Sequence, residues 1–312
     1  MQPMTRVLVT GANGNLGGAL LRRAAGSSAS LELRAAVRSP AAATRVASLP
    51  EALRPEVVLV DYSDVDSMQR AAEGCDVVIH LVGILREGRR ARYLDAHEGS
   101  CSVLARAAAH AGVSRIVYAS IVGSAPDAAN ACLASKGRAE QILLEGPVPA
   151  TVLRVPMVLG PGDHASAALR REAGRSPSLL IGGGRTLQQP IDVRDVVQAL
   201  VAASRDEGAG DHAFDLAGPE CLPHRELVAR AAAALGRPPP RIVPLPLGLA
   251  RALVATTAAL LPDPPITPAM LDVLQRDDRV DPAPACAHLD LDLTPLDDTL
   301  AYCLRATTTA QE

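Results

Sequence analysis

The 312-residue sequence has no tryptophan, one phenylalanine and four tyrosines. Stacking platforms for single-stranded nucleic acid are therefore scarce. A core must come from Leu, Val, Ile and Ala, which the 48% hydrophobic share allows. Positive charge is not in excess either. A net charge of -3 offers no basic face to displace counterions, so no nucleic-acid partner is expected. Lysine is almost absent: Lys136 stands alone, and the other thirty of the 31 basic residues are arginine. The six cysteines (Cys75, Cys101, Cys132, Cys221, Cys286, Cys303) form no CxxC pair, and the histidines are dispersed. Neither a redox motif nor a metal set is expected. The longest apolar run, residues 245–261, contains Pro246 and Arg251 and is too short to span a bilayer. A strand-like run begins at residue 6, leaving no room for a signal peptide, so a cytoplasmic protein with reduced thiols is expected.

What is present is an alternation. Short β-branched runs recur at 6–10, 33–37, 57–60, 76–82, 115–120 and 151–155, separated by Ala-rich helical stretches. Continuously apolar strands joined by helices predict a parallel sheet covered on both faces, with right-handed crossovers. The fold expected is α/β, a doubly wound parallel Rossmann sheet with a small, mainly helical C-terminal subdomain. The expected division is a core over 1–160 and, over 161–312, the remaining core elements with a substrate or lid region. Helices are predicted near 223–235, 247–261, 267–275 and 295–305.

The run VLVTGANGNLGGALL places Gly11-Ala12-Asn13-Gly14-Asn15-Leu16-Gly17 between the first strand and a helix. The first glycine permits a tight turn, the second lets backbone approach a pyrophosphate, and the third lets helix and strand pack closely. The helix N-terminus supplies free N–H groups and partial positive charge. This combination predicts dinucleotide binding. The second strand ends Ala36-Val37-Arg38-Ser39 without the acid that holds ribose hydroxyls in NAD-specific folds. Arg38 suits a 2′-phosphate instead. NADP is the expected cofactor, with NAD as the alternative.

The Gly11-x-x-Gly14-x-x-Gly17 spacing resembles the extended and atypical short-chain dehydrogenase/reductases. Other landmarks follow in order: Asp61-Tyr62 after the third strand, His80-Leu81-Val82-Gly83 after the fourth, AGVSRIVYAS (111–120), VLRVPMVLGPGD (152–163), IGGGRTLQQPIDVRDVVQAL (181–200) and FDLAGPE (214–220). The resemblance implies that Asp61 and Tyr62 lie near adenine, and that Leu81, Val82, Gly83 and Val155 pass the ribose and nicotinamide. The arrangement over 244–282 is similar to the branch holding the nucleotide-binding accessory subunit of mitochondrial complex I and its free-standing bacterial relatives. That branch implies NADPH binding, sometimes with a quinone or a membrane, and does not by itself imply catalysis.

Catalytic members carry Tyr four residues before Lys; the Tyr exchanges the substrate proton, and the Lys holds the ribose and lowers the Tyr pKa. Lys136 matches the lysine, but Cys132 stands where the tyrosine belongs, and no tyrosine lies between Tyr118 and Tyr302. Three readings follow. Tyrosine chemistry is lost and the protein binds or senses cofactor. Or Lys136 or another group moves the proton. Or Cys132 itself acts, its pKa lowered by the lysine and a helix N-terminus. A compact ammonium kept where every other position has arginine argues for Lys136 at the ribose. Ser120 is the candidate for the family's serine, with Ser124 as neighbour. His97 is close to where relatives carry Asn, and otherwise reads as a structural histidine. Asp192 and Asp195 read as a strand-to-helix cap.

The function expected is an NAD(P)H-binding, epimerase/dehydratase-like reductase of a small carbonyl or quinone-type substrate, an apolar one, working without the usual Tyr acid. Its cleft would be roofed by helices beyond residue 220. The alternative is a non-catalytic NADPH-binding structural, assembly or sensor protein with a protein or peripheral membrane partner, the apolar run 247–261 being the candidate docking segment.

Overall fold

The computed structural model of the chain describes residues 4–24, 31–88, 91–206, 210–261 and 264–305. Its strands begin β1 (Thr5–Thr10), β2 (Leu31–Val37), β3 (Glu56–Leu59), β4 (Val77–His80), β5 (Arg115–Ile121) and β6 (Ala150–Val155). Between them lie helices α1 (Asn15–Ala24), α2 (Pro40–Ala47), α3 (Val65–Ala72), α4 (Ser100–Ala111) and α5 (Ala131–Leu144). The sheet runs β3-β2-β1-β4-β5-β6, and the strand His212–Asp215 lies beyond β6. β2 pairs in parallel with β3 and β1, and β4 with β1 and β5. This is the doubly wound Rossmann order expected from the alternation. Its direction reverses between β1 and β4, so the crevice at their C-terminal ends is the topological switch point where such sheets take ligands.

The helices start where the sequence offers caps. Ser39 accepts from the Ala42 amide at α2, Asp64 from the Asp66 and Ser67 amides at α3, and Asn130 from the Cys132 and Leu133 amides at α5. α4 is preceded without a break by a π-helical turn over Leu94–Gly99, and it ends at Gly112 in the left-handed region. The core under α3, α4 and α5 is aliphatic, with Leu8, Val78, Leu104, Ile116, Leu143 and Val152 all buried. Full burial of each such side chain stabilises by roughly 1.5–3 kcal/mol, so a chain poor in aromatics still closes a core.

The fourth strand is shorter than the expected 76–82. The Leu81 amide still donates to the Thr10 carbonyl, at 3.3 Å. β1 then turns into the glycine loop, so the ladder on that side of β4 ends there.

The chain divides into two compact units, Met1–Arg154 with Val197–Phe214, and Val155–Val196 with Asp215–Glu312. The second has its own core, including Leu159, Leu169, Leu227 and Leu300. Its helices His224–Ala234, Leu247–Leu260, Pro268–Leu274 and Leu296–Arg305 match those expected; His164–Ala173 and Ala283–Leu289 were not foreseen. Among the described residues it also carries three two-stranded ladders, of which Ser178–Ile181 with Ile242–Leu245 is the longest. Asp192 accepts from the Arg194 amide, and Asp195 accepts from the Thr294 amide and hydroxyl, each at 2.7 Å. Asp192 thus sits before the helix Val193–Arg205 as the sequence suggested, whereas Asp195 lies inside its first turn and ties it to Thr294 instead of capping it. Among the described residues no helix is long and apolar enough to cross a membrane.

Candidate functional site

The glycine loop is shaped by close backbone approach. Gly11 has φ +67°, and a Cβ there would come within 3.1 Å of the Leu81 carbonyl group. A Cβ on Gly17 would lie 2.6 Å from the Gly11 carbonyl oxygen and 2.7 Å from Ala12 Cα, so only glycine fits. The Gly14 amide closes the turn on Gly11 O at 2.9 Å. Asn13 and Leu16 are half-buried, while Gly14 and Asn15 are exposed at the start of α1. The first turn of α1 holds no acid, so its amide groups present uncompensated positive charge. The loop fits a pyrophosphate on geometry alone.

Tyr62 braces this loop. Its hydroxyl accepts from the Gly11 amide at 3.1 Å and donates to Ala36 O at 2.9 Å. Burial raises the Tyr62 pKa, and the nearby Arg38 charge opposes that rise. Arg38 itself is exposed just beyond β2. Asp61 follows β3, is exposed, and is held below the usual carboxylate range by the Ser63 hydroxyl and amide. These three residues stand at the β2–β3 side of the switch point. Leu81, Val82 and Gly83 lie on its β4 side, and Val155 ends β6, buried.

The single lysine is buried, yet it reaches the loop after β4. Lys136 Nζ donates to the Tyr118 hydroxyl at 2.9 Å and to Ala119 O at 3.1 Å. A Cβ on Gly83 would sit 2.9 Å from Nζ and 3.6 Å from His97 Nε2. Gly83 therefore makes space for the ammonium, whose third N–H is uncommitted to these partners. α5 comes this close because Gly137 packs on the backbone of Ala125 and Pro126, where a Cβ would clash at 2.2 Å. Burial pushes the Lys136 pKa down to about 8, against the opposing pull of Cys101, Cys132 and Glu140.

Two helical segments each place a pair of side chains, one turn apart, around Gly83, Ile84 and Leu85. Cys132 and Lys136 come from α5, and Tyr93 and His97 from the π-helical turn and the residue before it. The Cys132 thiol lies 3.7 Å from Ile84 O and in hydrogen-bonding contact with Tyr93. The Tyr93 hydroxyl donates to Leu85 O at 2.9 Å, and its ring stacks on His97 with centroids 5.5 Å apart. His97 Nε2 lies 3.1 Å from both the amide and the carbonyl of Ile84. His97 Nδ1 is buried and meets no partner among the described residues. Burial first, and the Lys136 charge second, lower the His97 pKa to about 3.

Cys132 does not have the lowered pKa that one sequence reading gave it. The thiol is fully enclosed, and burial pushes its pKa up despite the neighbouring Lys136. Ser120 is also buried. Its hydroxyl donates to Glu140, whose carboxylate pairs with Arg154 at 2.6 Å, and it lies 3.4 Å from Ser124 Oγ. Beneath the switch point, Thr10 Oγ1 lies 2.8 Å from His80 Nδ1, and His80 Nε2 3.3 Å from Ser100 Oγ.

Sequence reasoning missed Tyr93, Tyr118, Glu140 and Arg154. Glu140 follows Lys136 by one helical turn and so shares its face, a readable signal. Tyr118 and Tyr93 come from other elements, and no local spacing reveals them.

A family model described as NAD(P)H-binding matches residues 11–206. The chain is 31% identical over 254 residues to the mitochondrial NADH dehydrogenase [ubiquinone] 1 alpha subcomplex subunit 9 of Arabidopsis thaliana, covering 79% of this chain and 62% of that one. It is 28% identical over 194 residues to the ceramide reductase of Caulobacter vibrioides, covering 62% and 61% respectively. The chain thus spans about three fifths of the length of these two relatives. A nucleoside-diphosphate-sugar epimerase from Pseudomonas aeruginosa shares the fold, with TM-score 0.74, 21% identity, and coverage of 98% of this chain and 99% of that one.

Proposed function

The chain belongs to the NAD(P)H-binding family, and we propose that it is an NADPH-dependent reductase of a small apolar carbonyl or quinone-type compound. One observation carries this reading: the single lysine, buried and lowered to a pKa of about 8, is held by Tyr118 and Ala119 beside Gly83 at the switch point. Gly11, Gly14, Gly17 and the first turn of α1 would hold the pyrophosphate. Arg38, placed beyond β2, would hold a 2′-phosphate and set the preference for NADP. Leu81, Val82 and Gly83 would line the ribose and nicotinamide, and the third N–H of Lys136 would bond the ribose. When bound, the reduced cofactor supplies a hydride. The surrounding residues hold the proton inventory: Lys136 is largely charged at neutral pH, while His80 and His97, each lowered to about 3, stay neutral.

The similarity to a bacterial ceramide reductase supports reduction of an apolar substrate. A cytoplasmic setting is supported by six unpaired cysteines. A second reading, a cofactor-binding partner in a larger assembly, is favoured by Cys132 at the motif tyrosine position and by similarity to a complex I subunit. The experiment that separates them follows NADPH absorbance in the presence of aliphatic aldehydes, ketones and quinones. Steady oxidation is expected. Tight NADPH binding without turnover of any of them would support the second reading.

A further inference from the structure

The motif tyrosine is missing from α5, but a tyrosine hydroxyl stands beside the residue that replaced it. Tyr93 enters from the start of the π-helical turn, contacts the Cys132 thiol and donates to Leu85 O at 2.9 Å. Tyr93 is 5% exposed, and its ring is stacked on His97, whose Nε2 faces Ile84. Cys132, one turn from Lys136 on α5, is small enough to leave that space to the Tyr93 ring. Three groups able to carry a proton, Tyr93, His97 and Lys136, thus border Gly83, Ile84 and Leu85.

Tyr118 does not compete for this role. It is wholly buried in the core under α4 and α5, and its hydroxyl accepts from Lys136. It positions the lysine from behind.

We propose that Tyr93, supplied by the segment before α4, is the catalytic acid of this protein in place of the missing α5 tyrosine. The inference rests on the reductase reading. The bound reduced nicotinamide would supply hydride to the carbonyl carbon, itself becoming oxidised, and the C=O π pair would move to oxygen. That oxygen takes the Tyr93 phenol proton: the Tyr93 O–H bond breaks and the alcohol O–H bond forms. The phenolate left behind recovers its proton from water. The π-helical turn has a function on this account, since one extra residue per turn re-aims a side chain at a functional site.

The test compares wild type with Tyr93→Phe, which keeps the ring and removes only the acid. NADPH affinity is read by its fluorescence enhancement, and turnover by absorbance. General acid catalysis contributes about 10²-fold or more, so kcat should fall by that factor, with the NADPH Kd within twofold. The double variant Tyr93→Ala/Cys132→Tyr, which returns the phenol to α5, should recover at least tenfold over Tyr93→Ala. A Tyr93→Phe protein within tenfold of wild-type kcat, or one whose loss matches a weakened NADPH Kd, overturns the proposal and leaves the reductase reading standing. A wild-type protein that reduces neither carbonyls nor quinones overturns both.

Discussion

Lys136 donates to the Tyr118 hydroxyl at 2.9 Å, across from α5 to β5, rather than working with a tyrosine one turn back on its own helix. The pairing fixes the ammonium at depth, with the ring of Tyr118 4.4 Å beneath Nζ. Lys136 remains a point charge beside Gly83 whatever occupies position 132. Cofactor binding and proton transfer are therefore separable in this protein.

Arg38→Ala should weaken NADPH binding and spare NADH. Hydrogen bonds to a charged group contribute about 1.5–3 kcal/mol, so NADPH Kd should rise about 10- to 100-fold. NADH Kd should stay within about twofold, since it offers Arg38 no phosphate. Titration of both cofactors by fluorescence checks this, and equal losses would remove Arg38 from the site.

Gly17→Ala and Gly83→Ala should behave differently although both add one methyl group. At Gly17 the methyl meets backbone at 2.6 Å, which cannot yield. That overpacking should cost about 1–3 kcal/mol and abolish NADPH binding. At Gly83 it meets the end of the Lys136 side chain at 2.9 Å. The fold should persist there, with Lys136 displaced and turnover reduced. Thermal melts alongside NADPH titrations distinguish the two.

The depressed pKa of Lys136 has a consequence for stability. Between about 8 and its ordinary 10.5 the unfolded chain binds a proton that the folded protein does not. Stability therefore rises with pH across that window. Compared with Lys136→Met, which has no such group, wild type should gain about 3 kcal/mol between pH 7 and pH 10.5. Denaturant unfolding of both proteins across this range tests it, and parallel curves would show the lysine to be solvated.

His80 and His97 predict the acid limb. Burial, with Lys136 nearby, holds both pKa values at about 3, below the ordinary 6.5. Below 6.5 the unfolded chain takes up protons that the folded site refuses, so stability falls with falling pH. At pH 5 each histidine should cost about 2 kcal/mol relative to pH 7. His97→Asn should remove about half of this loss in unfolding measured at the two pH values.

What the sequence made legible is what local spacing encodes. The glycine loop, the strand order and the position of Lys136 all follow from short-range pattern: three glycines after a strand, alternating elements, one lysine among arginines. The cap at Asp192 was equally local, whereas the Thr294 partner of Asp195 lies 99 residues away. The partners of Lys136 were not, because Tyr118 reaches it by strand-to-helix packing and Tyr93 by a π-helical turn that no propensity marks. Ser120 shows the same limit. Its place near the end of β5 was readable, but the Glu140 carboxylate that accepts its hydrogen bond, and the Arg154 that pairs with that carboxylate, come from α5 and β6. Cys132 looked like a thiol at a helix N-terminus, and three-dimensional enclosure reversed the sign of its pKa shift.

The most direct test of the whole account is absorbance at the reduced-nicotinamide band, with purified protein, NADPH and a panel of aliphatic carbonyl and quinone compounds, and with product alcohol or quinol measured in parallel. The account predicts NADPH consumed in equal amount to product formed, with NADPH preferred over NADH. NADPH bound tightly and never consumed, across the panel and across pH, would contradict it.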